Sequence, residues 1–342
     1  MKTAVVICPG RGTYTKTELG TLGRHFKDRA LLAGFDARRS ALGQETLSAL
    51  DGAASYSGAR HSRGDNASAL IYAATLADFR ALRGVEIVAV TGNSMGWYSA
   101  LACAGALSAE AGFEVANTMG TLMQKHLIGG QTLYPFVDET WQPDPVRKAE
   151  LLGLVAEIAR RPDHALALSI NLGGMLVLAG NEAGLAAFEA AVPPLQGRFP
   201  LRLANHAAFH TALQAPVAAA GRAALQAGLF RQPRLPLIDG RGAVWWPGAS
   251  DPDQLWAYTL GHQVVAPYDF TRAITIAARE FAPDLFIITG PGTTLGGAVA
   301  QALILADWRG MRSKTDFQTA QQIAPLLVSM AMDDQRRLVT GD

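Results

Sequence analysis

One segment of the sequence has the residue types and spacing of an acyl-transfer nucleophile. Residues 92–96, GNSMG, directly follow an apolar run at 85–91 and directly precede an Ala- and Leu-rich stretch. In a G-x-S-x-G turn between a strand and a helix, the glycines relieve crowding and the serine Oγ is exposed at the carboxyl end of the sheet. The N–H of Met95 would then point toward an oxyanion on the substrate. This context favours a catalytic Ser94 over a chance turn.

A serine at its ordinary pKa is a weak nucleophile and needs a base within hydrogen-bond reach. Chain order alone does not choose among the seven histidines. His206 and His210 have the i, i+4 spacing of two zinc ligands, but Ala207 stands where an H-E-x-x-H site requires glutamate. We therefore predict no metal site. The candidate bases are His25, His61, His126, His164, His206, His210 and His262.

The elements that would carry these residues follow the pattern of an α/β protein. Apolar runs at 3–8, 85–91 and 285–289 each end at Gly or Pro, which predicts buried strands. Such strands, separated by long helical stretches, are typical of a parallel sheet covered on both faces. The predicted helices are 67–82, 95–105, 109–126, 212–227 and 270–280.

The middle of the chain interrupts this pattern. Strand-like runs within 165–179 and at 199–204 flank a helical stretch at 182–192, and a further helical piece covers 146–159. We therefore predict a discontinuous catalytic α/β domain formed by residues 1–129 and 201–342. Residues 130–200 would form a small α+β subdomain.

Composition limits the classes of partner and location. The 342 residues carry a formal net charge of +1, so no overall field attracts nucleic acid. Cys8 and Cys103 lack CxxC spacing and suit buried thiols in a reducing compartment, so we expect a cytoplasmic protein. No window approaches the roughly 20 apolar residues of a membrane span.

Six segments, in order, resemble the malonyl-CoA:acyl-carrier-protein transacylase family. Residues 92–106, GNSMGWYSALACAGA, are similar to its nucleophile segment, G-H-S-x-G-E-Y-x-A-L-x-x-A-G. The resemblance implies an α/β-hydrolase-like core with a mostly parallel sheet and a ferredoxin-like subdomain. The other five segments are 8–12 (CPGRG), 171–180 (NLGGMLVLAG), 207–210 (AAFH), 263–270 (QVVAPYDF) and 290–295 (GPGTTL).

The resemblance assigns a role to each matched position. Ser94 would attack the acyl thioester and His210 would be its general base. The backbone N–H groups of Met95 and Arg11 would form the oxyanion hole. The backbone carbonyl of Gln263 would orient His210 in place of an aspartate.

The resemblance also implies an activity. An acyl group would move from acyl-CoA to the phosphopantetheine thiol of an acyl carrier protein, in fatty acid or polyketide synthesis, and Asn171 would help to position the substrate. The family needs no metal and no redox cofactor, because the coenzyme A thioester is itself a substrate. Two alternatives remain: a thioester hydrolase of the same fold that acts on acyl carrier proteins, and a non-catalytic member that binds them.

Four positions bear on the acyl group. Met119 replaces the arginine that holds the malonyl carboxylate in the family, which disfavours malonyl, unless Met119 simply packs in the core. Arg11 replaces a glutamine and would grip a donor carboxylate, hold a phosphate or point to solvent. Trp97 replaces a glutamate and would narrow the entrance. Phe209 resembles the family's pattern for unbranched acyl groups, so we expect an unbranched donor, acetyl or a longer neutral chain ahead of malonyl.

Two further features carry open interpretations. Residues 132–163 look like an insertion of about 25 to 30 residues relative to the family, which would serve as a lid, a docking surface or an ordered packing element. Basic clusters at 60–63 and 160–161 would meet coenzyme A phosphates or an acidic carrier protein, or form plain solvated surface.

Overall fold

A computed structural model describes residues 1–341, which fold around two β-sheets. The strands are β1 (Lys2–Cys8), β2 (Val85–Gly92), β3 (Gly130–Pro135), β4 (Leu166–Leu172), β5 (Met175–Gly180), β6 (Leu201–Arg202), β7 (Leu237–Ile238), β8 (Val244–Trp245), β9 (Tyr268–Asp269), β10 (Leu285–Ile288) and β11 (Leu327–Ser329). The sheet composition and the many helices confirm the predicted α/β class.

Helices cover the sheets and make up most of the connections. They are α1 (Thr21–His25), α2 (Arg29–Ala41), α3 (Leu47–Asp51), α4 (Gly58–His61), α5 (Gly64–Ala81), α6 (Gly96–Cys103), α7 (Ala109–His126), α8 (Pro145–Ala159), α9 (Glu182–Ala191), α10 (Ala215–Ala224), α11 (Pro252–Ala257), α12 (Gln263–Val265), α13 (Phe270–Phe281), α14 (Gly296–Leu305), α15 (Lys314–Ile323) and α16 (Asp333–Thr340). A π-helical turn, Tyr258–His262, joins α11 to α12.

The first sheet has the strand order β11-β10-β1-β2-β7-β8. All of its neighbouring strands run parallel except the last pair, β7 and β8. β1 lies in the middle, and its residues from Ala4 to Cys8 are fully buried. The carboxyl ends of β1 and β2 therefore reach the same edge of the sheet, and the G-x-S-x-G turn follows β2 there.

The second sheet has the order β6-β3-β5-β4-β9. Strands β6, β3, β5 and β4 pair antiparallel, whereas β4 and β9 pair parallel. β9 comes from residues 268–269, so a strand from outside residues 130–200 completes this sheet. The expected domain boundaries themselves stay a prediction.

Small residues allow the two longest helices to pack closely. A Cβ at Gly120 would lie 2.5 Å from the carbonyl oxygen of Gly64, and one at Gly112 would overlap the hydroxyl of Tyr72. Only glycine permits this approach of α7 to α5. As a result α5 is buried along almost its whole length.

Residues 132–163 belong to the second sheet and its core. Thr132 to Pro135 lie in β3, a strand with neighbours on both sides, and Tyr134 is fully buried. Leu151, Val155 and Ile158 of α8 are buried in the same cluster of apolar side chains. Of the three interpretations of this segment, the structure agrees with a packing element.

No helix among the described residues combines the length and apolar character that a membrane crossing requires.

Candidate active site

The turn after β2 has the backbone geometry of a nucleophile elbow. Ser94 has a φ of 55°, in the left-handed region that a side chain rarely adopts. A Cβ at Gly92 would overlap the backbone of Gly96, and one at Gly96 would overlap the carbonyl of Cys8. The two glycines are therefore required for the turn, which holds Ser94 above the end of the first sheet.

Ser94 is hydrogen bonded to a buried histidine. Its Oγ lies 2.7 Å from Nε2 of His210, and Nδ1 of the same ring lies 2.6 Å from the carbonyl oxygen of Gln263. A carbonyl can only accept, so Nδ1 carries the proton and Nε2 has the free lone pair. Burial lowers the pKa of His210 to about 4, although the bond to Gln263 opposes the shift. The ring is neutral at neutral pH and can act as a base.

The carbonyl that orients His210 is itself held in place. The side chain of Gln263 donates to the carbonyl of Ser94 (3.1 Å) and accepts from the hydroxyl of Tyr98 (3.3 Å). Tyr268 packs its ring 5.4 Å from that of His210 and donates to the carbonyl of Gly92 (2.5 Å). One cluster of bonds thus fixes the serine turn and the base together.

The loop after β1 lies directly against the serine turn. A Cβ at Gly10 would lie 2.5 Å from the carbonyl oxygen of Asn93, whose N–H donates to the carbonyl of Cys8 (2.9 Å). Within residues 1–341, no acceptor is hydrogen bonded to the N–H of Met95 or of Arg11. This arrangement suits an oxyanion hole, which needs free donors beside the nucleophile.

A small cavity opens in front of Ser94. Its volume is about 90 Å³, which holds only a few water molecules. The lining residues are Arg11, Asn93, Ser94, Met95, Tyr98, Met123, Gln131, Ile170, Leu172, Val177, Leu203, His206, Phe209, His210, Gln263 and Val264.

Solved structures share this architecture. A malonyl-CoA:acyl carrier protein transacylase from Xanthomonas oryzae pv. oryzae superposes with a TM-score of 0.74 at 20% identity, covering 98% of this chain and 96% of that one. The corresponding enzyme from Synechocystis sp. PCC 6803 superposes with a TM-score of 0.74 at 18% identity, covering 99% of this chain and 100% of that one. A malonyl-transacylase in complex with its type II polyketide synthase acyl carrier protein gives 0.72 at 18%, covering all of both chains.

This chain has the malonyl-CoA:acyl carrier protein transacylase fold. The resemblance predicted from the sequence is thereby confirmed at the level of the fold.

Sequence comparison extends the similarity to a much longer protein. A highly reducing polyketide synthase of Emericella nidulans is 26% identical over 246 residues. The match covers 67% of this chain and only 9% of that protein. No protein-family model matches the chain.

Within the transacylase fold, the structure brings most of the expected site residues together. Ser94, Met95, His210 and Gln263 line one cavity, together with Phe209. Their roles in catalysis are taken up below as a proposal.

Arg11 lines the same cavity, but its guanidinium does not point to solvent. Nη2 donates to the carbonyls of Ser62 (2.7 Å) and Asn205 (2.9 Å), and the charge lies 5.5 Å from the ring centre of Phe209. Nε and Nη1 are buried without a partner. Burial lowers the pKa of Arg11 to about 10, so the side chain stays charged at neutral pH.

Met119 lies outside the cavity. It is fully buried, and a Cβ at Gly221 of α10 would meet its sulfur at 2.7 Å. Met119 therefore packs between α7 and α10, and Met123, one helical turn further along α7, reaches the cavity instead. Of the two interpretations of Met119, the structure agrees with the one in which it packs in the core and does not line this cavity.

Trp97 and Asn171 also lie outside the cavity. Trp97 is fully buried, and its indole N–H donates to the hydroxyl of Thr259 (2.9 Å), so it does not narrow the entrance. Asn171 accepts from Lys148 (3.0 Å) and donates to Asp269 (2.8 Å). It therefore links β4 to β9 and α8 and does not line the cavity, and a role in positioning the substrate stays a prediction.

Several polar residues of the cavity were not predicted to bind substrate, among them His206 and Gln131. The sequence pattern marked His206 only as one of seven candidate bases and as half of a rejected zinc site, and Gln131 lies in the unpredicted strand β3. Nδ1 of His206 is 2.7 Å from Oε1 of Gln131. The available signal was its position four residues before His210, because both residues lie in the same irregular segment and line the same cavity.

The basic clusters form surface ion pairs. Arg60 pairs with Glu45, Arg63 pairs with Asp65 at 3.0 Å, and Arg161 pairs with Glu157 at 2.9 Å. The first cluster adjoins the cavity, because the carbonyl of Ser62 accepts from Arg11. Neither cluster contributes a lining residue.

Proposed function

We propose that this chain is an acyltransferase that moves an acyl group from a coenzyme A thioester to the phosphopantetheine thiol of an acyl carrier protein, through an acyl ester on Ser94. The observation that carries the proposal is the 2.7 Å contact between Ser94 Oγ and Nε2 of a buried, neutral His210. The neighbour solved with its acyl carrier protein and the polyketide synthase relative support the choice of partner.

In the first half of the reaction, Ser94 Oγ attacks the thioester carbonyl carbon while Nε2 of His210 accepts the hydroxyl proton. The carbonyl oxygen becomes an oxyanion, which the N–H groups of Met95 and Arg11 stabilise. When this intermediate collapses, the carbon–sulfur bond breaks and His210 returns its proton to the leaving thiolate. The products are acyl-Ser94 and free coenzyme A.

In the second half, the carrier thiol gives its proton to His210 and its sulfur attacks the acyl ester carbon. The ester bond then breaks, and Ser94 Oγ recovers the proton. Because a thiol has a pKa near 8.5, its thiolate leaves with less proton donation than an alkoxide or an amine requires. The carbonyl of Gln263 stabilises a charged imidazole less than a carboxylate does, and this suits exchange between thiols.

Several features support a short, unbranched and neutral acyl group. The cavity of about 90 Å³ has little room for a long chain, and Phe209, which precedes His210 in the chain, contributes to the wall of the cavity. The guanidinium of Arg11 is bonded to two backbone carbonyls and its other nitrogens are buried.

Intact mass spectrometry after incubation with acetyl-, malonyl- or hexanoyl-CoA tests the proposal. We expect the wild type to gain one acetyl group and Ser94→Ala to gain none. Ser99→Ala is the matched control, because it removes a buried hydroxyl without a hydrogen-bond partner one turn further along the chain. Labelling by malonyl-CoA alone would contradict a neutral donor, and no labelling by any of the three would contradict the acyltransferase.

The fate of acyl-Ser94 distinguishes transfer from hydrolysis. We expect the acyl-enzyme to persist in buffer and to disappear within one turnover when holo acyl carrier protein is added. Equal decay with and without the carrier protein would instead identify a thioester hydrolase.

A further inference from the structure

One cavity residue has no part in the proposed mechanism. His206 lines the same cavity as Ser94, and its ring lies 5.7 Å from that of Phe209. His206 is half-buried and is one of the polar residues that line this cavity. A polar side chain in the wall of the cavity that opens at Ser94 can contact an acyl group bound there.

A chain of hydrogen bonds determines which ring nitrogen of His206 carries the proton. The carbonyl of Phe209 can only accept, so the hydroxyl of Ser169 donates to it (2.8 Å) and accepts from Nε2 of Gln131 (2.7 Å). Oε1 of Gln131 must then face Nδ1 of His206, at 2.7 Å. Nδ1 is therefore the donor, and Nε2 holds a lone pair.

Nε2 of His206 is an acceptor without a partner. No hydrogen bond within residues 1–341 reaches it, and it is not among the fully buried polar atoms. Burial and the nearby charge of Arg11 lower the pKa of His206 to about 3, so the ring does not become a donor at neutral pH. When an acyl group displaces water from the cavity, this acceptor loses its solvent partners.

The neighbouring guanidinium does not complement a carboxylate. Both protons on Nη2 of Arg11 are directed to backbone carbonyls, one of them the carbonyl of Asn205, next to His206. Nε and Nη1 are buried and have no hydrogen-bond partner. A carboxylate in the cavity would meet the lone pair of His206 and none of these N–H groups.

We infer that the cavity selects a short, unbranched acyl group that ends in a hydroxyl, with the hydroxyl donating to Nε2 of His206. The inference rests on the proposed function, because it requires the acyl group of acyl-Ser94 to occupy this cavity. An alkyl terminus leaves the acceptor unpaired, whereas a hydroxyl restores the hydrogen bond. A site built in this way discriminates against the analogue that lacks the hydroxyl.

The test compares isosteric acyl donors in the rate of Ser94 acylation. Glycolyl-CoA is matched by propionyl-CoA, and 3-hydroxypropionyl-CoA by butyryl-CoA, so that each pair differs by a hydroxyl in place of a methyl group. We expect kcat/KM to be at least about tenfold higher for the hydroxyl member of at least one pair. Malonyl-CoA, as the carboxylate probe, should be slower than that hydroxyl member.

Two substitutions separate recognition from a structural role. His206→Asn keeps an N–H for Gln131 but removes the cavity-facing acceptor, so the hydroxyl-to-alkyl rate ratio should fall toward one. His206→Gln can place an amide oxygen near the former Nε2 and should retain part of the ratio. A purely structural role would lower the rates of both members of a pair and leave their ratio unchanged.

The outcomes are distinct. Acylation by alkyl donors without a hydroxyl preference, or a preference for malonyl-CoA, would overturn the inference while the acyltransferase stands. A preference that survives His206→Asn would also overturn it. If no donor acylates Ser94, the proposed function fails and the inference fails with it.

Discussion

The proposed base is oriented by a backbone carbonyl, and its properties follow from burial more than from charge. His210 is 4% exposed and has no carboxylate partner, so nothing offsets the cost of charging the ring except the carbonyl of Gln263. The ring is therefore ready to accept a proton at every pH near neutrality.

This burial predicts an unusual dependence of acylation on pH. Because the pKa of His210 is about 4, the rate of Ser94 acylation by acetyl-CoA should change little between about pH 8 and pH 5.5 and fall below that. Rapid-quench mass spectrometry measures the rate, and circular dichroism of the same samples checks folding. A midpoint near 6.5, the ordinary value for histidine, would show that burial does not control the base.

The positions of the proposed catalytic residues were easier to predict from the sequence than the walls of the cavity. Ser94, His210 and Gln263 lie in short motifs whose backbone geometry is local, so the resemblance placed them together. Met119 and Trp97 lie on correctly predicted helices, but their distance from the cavity depends on how α6 and α7 pack. The distance of a helical side chain from the cavity is set by tertiary packing, and the pattern of residue types along the sequence does not determine it.

Among the elements, the strand–turn–helix unit around Ser94 is tightly packed. The predicted strand 85–91 and helix 95–105 agree with β2 and α6. A long apolar run that ends at glycine is compatible with few structures other than a buried strand that enters a turn. β3 was not predicted, since Gly129, Gly130 and Pro135 at its ends resemble a loop. β6 lies inside the predicted strand-like run 199–204, whereas β7, β8 and β9 have two residues each, too few for a recognisable pattern.

A single methyl group should disrupt the serine turn. Gly96→Ala places a Cβ against the carbonyl of Cys8, which forces the loop after β1 away from the turn. We expect a loss of about 1 to 3 kcal/mol in the free energy of unfolding, and acylation reduced at least tenfold. Urea unfolding and mass spectrometry measure the two effects.

A second glycine provides the control for this substitution. Gly297, near the start of α14, has open space where the methyl group of an alanine would lie. Gly297→Ala should therefore be neutral or stabilising by up to about 1 kcal/mol. Equal stability of the two variants would show that contact with β1 does not constrain the turn.

At the level of the whole molecule, a buried ion pair attaches the last helix to the core. Arg336 of α16 pairs with Asp78 of α5, and the other oxygen of Asp78 accepts from the N–H of Gly290 (2.6 Å). Burial raises the pKa of Asp78, while Arg336 and Gly290 oppose this shift. The pair therefore joins two helices and the loop after β10.

Breaking this pair should be costly. Arg336→Met leaves Asp78 buried without its cation, and we expect the free energy of unfolding to fall by about 3 to 5 kcal/mol. Arg80→Met removes the partner of Asp28 in an exposed pair two residues further along α5 and should cost at most about 1 kcal/mol. Urea titrations of both variants give the comparison, and similar losses would contradict the role of burial.

The two neutral histidines of the cavity should also make the fold sensitive to mild acid. In the folded protein the pKa of His206 is about 3 and that of His210 is about 4, whereas both are near 6.5 in the unfolded chain. At a pH between the folded and unfolded pKa values, the unfolded chain therefore binds more protons than the folded protein. Stability is therefore highest above about pH 6.5 and falls as the pH drops toward 4. Each such histidine contributes a slope of about 1.4 kcal/mol per pH unit.

Urea unfolding at several pH values, with His206→Gln and His210→Gln, measures this slope. Each substitution should make the decline between pH 6.5 and 4 shallower. His126→Gln, at the exposed end of α7, is the control and should leave the slope as it is. A wild-type stability that is constant over this range would contradict the prediction.

The position of β9 has a mechanical consequence. Gln263 holds the imidazole through its carbonyl, and the chain then runs only to Tyr268 before it joins the edge of the second sheet, where Asn171 bonds to Asp269. The second sheet and the imidazole are therefore tied by one short tether. A force that displaces the second sheet would therefore pull on His210. Although this sheet builds no part of the turn around Ser94, it constrains the alignment of the His210 imidazole with Ser94.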